Sequence, residues 1–430
     1  MRIVHTADVH IGVENYGRPA TQADVDALPP YFAPGVDRRT YLGLSTRLLD
    51  FLSALDQVVD YAVRHDADLV LIAGDAYKSR DPSQTHQREF VRRVATLVNR
   101  GIPVFLLTGN HDIAHSPTRA TALAIFPTLD VSGVTVAERF GTHRVETRSG
   151  PLQIVALPWI RRGQLLAREE HQGAPIDEVT RYVEADLTAR ILQEADALDP
   201  ALPAILAAHV TVNGSVSSSE RSMMLGRDYA LQPSSLALPA FDYVALGHVH
   251  KHQSLIAAPP VVYPGSLQRV DFSEEDDSKG FCVVDIDPAA PPGRRTQWQH
   301  VPVDARPFLT VEVTVPTDEQ DPTALVLRRI EQRDVTGAIV RVHVTVPSPL
   351  AGRVNERAIR DALASAHSVA AVSRQVVHER RPRIGSDASG ITPQQALERY
   401  LGGRADLDDT TRKRALEWGT ELVAEETARE

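Results

Sequence analysis

Side chains that can hold metal ions recur in five short segments. They are Asp8-Val9-His10, Gly74-Asp75, Gly109-Asn110-His111-Asp112, His209 and Gly247-His248-Val249-His250. Carboxylate, imidazole and amide groups form a mixed oxygen and nitrogen donor set that suits divalent cations. Alternate spacing in Asp8/His10 and His248/His250 turns both members of each pair to one side of an extended segment. Glycine before Asp75, Asn110 and His248 permits sharp turns and close backbone approach. A carboxylate can bridge two cations, and two cations roughly 3.5–4 Å apart clamp a phosphoryl group during in-line displacement while acidifying water. His111, next to Asn110, is suited to protonate a leaving oxygen or to stabilise transition-state charge. Asp112 is suited to orient it. Each residue alone means little, since single His and Asp residues are usually structural or on the surface. The ordered set of five, each after a run that reads as a strand, means more. No serine nucleophile elbow, P-loop or dinucleotide fingerprint competes with it.

Positioning these groups requires strands whose carboxyl ends converge. Residues 2–6, 69–73, 104–108, 154–157, 204–208 and 243–246 are short apolar runs, most bounded by Gly, Pro or Asp/Asn, and read as buried strands. Between them, 45–65 carries a helical stripe at Leu48, Leu49, Leu52, Leu55, Val58, Val59 and Ala62, and 87–99 and 176–198 look similar. This predicts an α/β layered domain over 1–287, in which loops at the carboxyl ends of parallel strands meet in one crevice. The Pro/Gly-rich 288–293 reads as an exposed loop. A β-α-β-α-β run over 305–380 predicts a smaller α+β domain. A linker follows, basic at Arg380, Arg381 and Arg383, then a helical tail over 392–430. Thr392, Pro393 and Gln395 give that tail a helix start.

Composition sets the outer limits. The 430 residues, 43% of them hydrophobic, suffice for a large core plus smaller domains. A single cysteine, Cys282, excludes an intrachain disulfide framework and fits a reducing cytoplasm. No signal peptide or membrane-length apolar run is evident. A formal net charge of -10 argues mildly against a nucleic-acid partner. Metal-binding carboxylates contribute to that sum while being neutralised in place, and a local basic groove is compatible with it.

The pattern D-x-H, GD, GNH-D, H, GH-x-H resembles the calcineurin-like metallophosphoesterase signature. The opening HTADVHIG, the helix before LVLIAGD and the tail organisation resemble the SbcD branch of DNA-repair nucleases. The likeness is strong over 1–287 and holds only in outline beyond. It implies a layered sandwich with a capping-like domain, and a nuclease that cleaves DNA phosphodiesters with two divalent metal ions, usually manganese. It assigns Asp8, His10 and His250 to the first metal and Asn110, His209 and His248 to the second. Asp75 would bridge them and His111 would be the catalytic histidine. It also implies an SbcC-like ATPase partner docking on the helical tail, a homodimer and a cytoplasmic location. By ligand chemistry alone Mn, Fe and Zn all remain open.

Some residues allow two readings. Lys78 stands where relatives often have Asp or His; it would contact phosphate as a point charge or, the favoured reading, lie in a surface loop. The long 13–45 stretch, with Tyr16, Arg18, Tyr31, Arg38, Arg39 and Tyr41, offers base-stacking rings beside phosphate-binding arginines, or else is a packed surface excursion. Tyr263-Pro264-Gly265-Ser266 with Arg269 would line the site's edge or form a plain turn. Glu274–Asp277 is expected to be a solvated loop, and the basic cluster at 380–383 a solvated linker rather than a DNA contact. Trp418 and Leu422 would face a partner or pack within the chain. Two other functions compete with the nuclease: a phosphodiesterase or phosphatase for nucleotides or small phosphoesters, and a non-catalytic DNA-end scaffold. The filled ligand positions argue against the scaffold.

Overall fold

The structure, a computed structural model, describes residues 1–114, 119–160, 176–217, 229–291, 293–377, 392–404 and 407–427. The predicted apolar runs form the centres of two six-stranded sheets. In the first, β1 (Arg2–Thr6), β2 (Leu69–Ile72), β3 (Val104–Leu107) and β4 (Val134–Ala137) run parallel. In the second, β5 (Gly141–Thr147) returns antiparallel to β6 (Gly150–Leu157), and β6 runs parallel to β7 (Ala204–His209). A two-residue pair, β8 (Thr211–Val212) and β9 (Ala230–Leu231), stands apart. The second sheet continues through β10 (Tyr243–Gly247), parallel to β7, then β12 (Pro260–Tyr263) and the edge strand β11 (Gln253–Ala257). Two later strands, β13 (Gly280–Ile286) and β14 (Thr296–Pro302), complete the first sheet, with β13 pairing antiparallel to β1.

Three apolar layers hold the sandwich. Between the sheets lie Ile3, Leu69, Leu71, Phe105, Ile154, Ile205, Ala245 and Val284, drawn from both. On the outer face of the first sheet, Thr46–Arg64 and Gln84–Val98 bury Leu48, Leu52, Leu55, Phe90 and Val94 against Val4, Val70 and Leu106. On the outer face of the second, Val183, Leu187 and Ile191 of the helix Ile176–Asp196 pack on Val155, Leu206 and Val244. Because both faces of the parallel strands are covered, they read as continuous apolar runs rather than alternating ones. The result is an α/β/β/α layered sandwich, as predicted.

Two compact units divide the chain. One comprises Met1–Val311, Ile330–Val342 and Arg360–Val372; the other comprises Glu312–Arg329, His343–Ile359 and Ser373–Glu430. The β-α-β-α-β run forms as a three-stranded sheet, ordered β15 (Phe308–Thr314), β16 (Ile339–Pro347), β17 (Ser368–Val377), with helices Pro322–Glu331 and Glu356–Ala362. In the tail, Thr392 caps Pro393–Gly402 through a capping box with Gln395, and a second helix covers Asp409–Thr427. Trp418 and Leu422 are exposed there. Arg380, Arg381 and Arg383 lie outside the described residues. Among the described residues no helix is long and apolar enough to cross a membrane.

Candidate metal centre

The five segments converge where parallel strands of both sheets end. Asp8 and His10 follow β1, Asp75 follows β2, and Asn110, His111 and Asp112 follow β3, all from the first sheet. His209 closes β7, and His248 and His250 follow β10, from the second. Asp8, His10, Asp75, His209, His248 and His250 are all buried. Sharp turns deliver them: Asp8 (φ 51°), His10 (φ 50°), Asp75 (φ 53°) and His248 (φ 104°) all occupy the positive-φ region. Such conformations cost of order 1–3 kcal/mol each in non-glycine residues and cluster at functional sites. Two glycines make the approach possible. A Cβ on Gly74 would overlap the His209 ring, and one on Gly109 would overlap the Asp75 carboxylate.

The donors form interlocking groups. Donor atoms of Asp8, His10 and His250 lie within 4.8 Å of one another, and so do those of Asp75, His209 and His248. A third group joins His10, Asp75 and His111. Asp75 Oδ2 stands 3.5 Å from His209 Nε2 and 3.9 Å from His10 Nε2, so it faces both clusters. Asn110 Oδ1 lies 3.0 Å from both His209 Nε2 and His248 Nδ1. His10 Nε2 and His250 Nε2 face each other at 2.9 Å. Two ligands at right angles on one ion, each at roughly 2.0–2.1 Å, sit about 3 Å apart, so this spacing fits a shared cation.

Groups behind the donors set their tautomers. His209 Nδ1 donates to the Ala73 carbonyl at 2.8 Å, which turns Nε2 into the site. His250 Nδ1 donates to Glu274 Oε1 at 2.8 Å with the same effect. Asp8 accepts from the His248 backbone N–H through both oxygens, at 3.1 and 3.0 Å. Burial, reinforced by His250, pushes the His10 imidazole well below its usual range, so it stays neutral with a lone pair to offer. Burial works against charge on His209 too, but the nearby Asp75 carboxylate outweighs it and carries that imidazole up to about 9.

His111 is held by groups other than Asp112. His111 Nδ1 donates to the Lys78 carbonyl at 2.8 Å, and its backbone N–H donates to Asp75 Oδ1 at 2.8 Å. The group orienting His111 is thus a carbonyl, not Asp112. The Asp112 carboxylate is buried and accepts from the N–H groups of Gly109 (3.0 Å), Tyr77 (3.2 Å) and Ala76 (3.3 Å), stitching the β2 and β3 loops together. Burial, with Asp75 close by, pushes it up to about 7.

The residues expected at the substrate divide. Lys78 is half-buried rather than a loose surface lysine; burial lowers its ammonium, and Asp75, Glu274 and Asp271 oppose that shift. Tyr16 packs edge-on against Phe272 and Phe308, with centroids 5.9 and 5.8 Å away. Arg18 makes a two-pronged pair with Asp24 at 2.6 and 2.8 Å. Arg38 donates to the Leu28 and Pro29 carbonyls, Arg39 pairs with Asp37, and Tyr41 is buried. The 13–45 stretch is therefore a packed excursion whose arginines are spent on its own turns. Ser266 is buried and donates to the Gln268 carbonyl. The Arg269 guanidinium donates to the backbone carbonyls of Glu274, Glu275, Asp277, Ala305 and Arg306. Both side chains are engaged in pinning the loop that carries Glu274.

That loop corrects a further expectation. Glu274 is fully buried and Asp277 nearly so, because Glu274 has a buried cation, Lys279, 2.7 Å away. Glu274 thus stands beside His250, one of the candidate metal donors, rather than in solvent. Trp159 also escaped the sequence reading. Its ring lies 4.8 Å from His248 and 6.2 Å from His209, centroid to centroid, and it lines a cavity of about 510 Å³ together with Thr108, Arg139 and Arg190.

A two-layer sheet sandwich with mixed imidazole and carboxylate donors at its strand ends defines a metal-dependent phosphoester hydrolase. The family model for calcineurin-like phosphoesterase matches residues 1–252, and the chain belongs to that family. Similar relatives include the SbcD subunit of the SbcCD nuclease from Rhodobacter capsulatus, 29% identical over 322 residues that cover 70% of this chain and 69% of the relative. The protein of the same name from Bacillus subtilis is 27% identical, covering 70% and 69%. Among solved structures, the Thermus thermophilus protein TT1561 matches with a TM-score of 0.34 and 15% identity, over 70% of this chain and 98% of that one.

Proposed function

We propose that this chain is the nuclease subunit of an SbcCD-type complex, cleaving DNA phosphodiester bonds with two divalent cations, manganese in the cell. One position would be held by Asp8, His10 and His250, the other by Asn110, His209 and His248, with Asp75 reaching both. The observation that carries this reading is the placement of Asp75 between the two donor clusters, within 3.5 Å of His209 and 3.9 Å of His10. When bound, the cations supply positive charge to phosphate oxygens and acidify water.

The chain's own groups do the rest. The Lys78 carbonyl accepts a hydrogen bond from His111 Nδ1–H. Burial lowers the His111 pKa, opposed by Asp75. Doubly protonated, with Asp75 favouring that form, His111 gives its Nε2 proton to the departing 3′ or 5′ oxygen and is left neutral with Nδ1–H still on the Lys78 carbonyl. Lys78, on the neighbouring loop after β2, adds positive charge near the phosphate. Trp159 closes one wall of the site and limits water around His248. The partner would be an ATPase of the SbcC type, docking on the tail helices that expose Trp418 and Leu422, and the working assembly a homodimer of this subunit. The test is degradation of end-labelled double-stranded DNA with Mn2+, beside a chelated control and a generic phosphodiester. DNA cleavage abolished by chelation is expected. Cleavage of the small phosphodiester alone, even with an SbcC-type partner added, would replace the nuclease reading with a phosphodiesterase for small substrates.

A further inference from the structure

The two donor clusters are backed differently. Behind His209 stands a neutral group, the Ala73 carbonyl, 2.8 Å from Nδ1. Behind His250 stands a carboxylate, Glu274, also 2.8 Å from Nδ1. An imidazole that donates to a carboxylate is oriented more firmly and is a more basic ligand at its other nitrogen.

Glu274 is itself held in place. Its Oε2 lies 2.7 Å from Lys279 Nζ and accepts from the Val270 N–H at 3.1 Å. Lys279, also fully buried in its side chain, donates to the His250 carbonyl at 3.1 Å and to Ser266 Oγ at 3.0 Å. The ammonium therefore grips both ends of the same ligand: its backbone directly, and its ring through Glu274. Burying such a pair has a large desolvation cost and rarely adds net stability over an apolar replacement. Its position behind one ligand gives it a different use.

Resting on the two-cation reading above, we infer that Glu274, fixed by Lys279, is a positioning residue that sets the affinity of one cation position, that of Asp8, His10 and His250, independently of the other. His209 is backed by a backbone carbonyl rather than a carboxylate, so removing the Glu274 carboxylate acts on one ion and spares its neighbour.

The experiment titrates the full-length, chelator-treated protein with Mn2+ alone, following free Mn2+ by electron paramagnetic resonance. It compares wild type with Glu274→Gln and with the double variant Glu274→Gln/Lys279→Met. The double variant removes the Glu274 and Lys279 charges together, so it leaves no ammonium short of its carboxylate, and Asp277, 3.5 Å from Lys279, keeps Lys251 at 3.6 Å. Wild type is expected to bind two ions. Both variants are expected to weaken one of them about 10–100-fold, the range for groups behind a metal ligand, and to leave the second unchanged. The metal-free double variant is expected to melt close to wild type. Equal weakening of both ions, or of neither, would overturn the inference. Wild type binding no Mn2+ at all would instead overturn the two-cation reading on which it rests.

Discussion

The ring nitrogens of His10 and His250, 240 residues apart, meet at 2.9 Å with each ring edge-on to the other. The first histidine follows a strand of one sheet and the second a strand of the other, so the contact joins the two halves of the sandwich. His10→Ala is expected to reduce bound Mn2+ from two equivalents to one or fewer and to abolish nuclease activity. Metal analysis after gel filtration, with an activity assay on the same sample, checks both. Full metal content in the variant would remove His10 from the ligand set.

His111 separates binding from catalysis. Its Nδ1 is committed to the Lys78 carbonyl. If Nε2 handles a proton or developing charge, His111→Ala should lower kcat by about 10²–10⁴-fold and leave two Mn2+ bound. Loss of an ion together with activity would make His111 a ligand, as its grouping with His10 and Asp75 also allows.

Gly109→Ala tests the closeness of the loops. The added methyl would overlap Asp75 Oδ1, so the carboxylate facing both clusters must move. The variant is expected to fold and to lose most Mn2+ affinity. A titration matching wild type would show that the β3 loop can retreat without harm.

Arg18→Ala is expected to leave DNA cleavage within about twofold of wild type. Its guanidinium is held by Asp24 on the surface, and pairs of this kind contribute roughly 0–1 kcal/mol. A marked rise in KM for DNA, with unchanged melting, would return Arg18 to the substrate path.

His5 gives the fold a pH dependence outside the metal cluster. It is buried between the sheets, with Nε2 donating to the Leu246 carbonyl and Nδ1 accepting from the Tyr243 hydroxyl, both at 3.1 Å. Burial lowers its pKa from 6.5 to about 3. Between those values the unfolded chain binds a proton that the folded chain excludes. Stability from this residue is therefore complete above about pH 6.5 and is lost as pH falls toward 3, at about 1.4 kcal/mol per pH unit for one proton. Urea denaturation of metal-free protein at pH 7, 6 and 5, compared with His5→Gln, should show a shallower pH slope in the variant. Parallel slopes would assign the acid sensitivity elsewhere.

The donors were legible because each follows an apolar run and a turn signal, both local properties. The helix start at Thr392 was legible for the same reason and forms as read. Glu274 was not. Four consecutive acidic residues look solvated until a lysine five positions on folds back beneath them, and nothing local announces that reversal. Arg18 and Arg269 differ in the opposite sense, with partners the sequence does not announce. An arginine in a long loop looks available for phosphate, but Asp24 takes one and five backbone carbonyls take the other. Trp159 was missed because the strand it follows, β6, carries no ligand candidate of its own. It meets the site through the rings of His209 and His248, which come from neighbouring strands.

The order of the strands also governs when the site can come into being during synthesis. β1, the first strand made, lies between β2 and β13, and Ile3, Val4 and His5 pair with Val284, Val283 and Cys282. A nascent chain therefore exposes the open edge of β1 until the 280s have left the ribosome. Asp8 and His10 wait less long, for His248 and His250, which are made before β13. The donor set cannot be complete before His250 is made, and the first sheet closes later still, when β13 pairs with the strand that was made first.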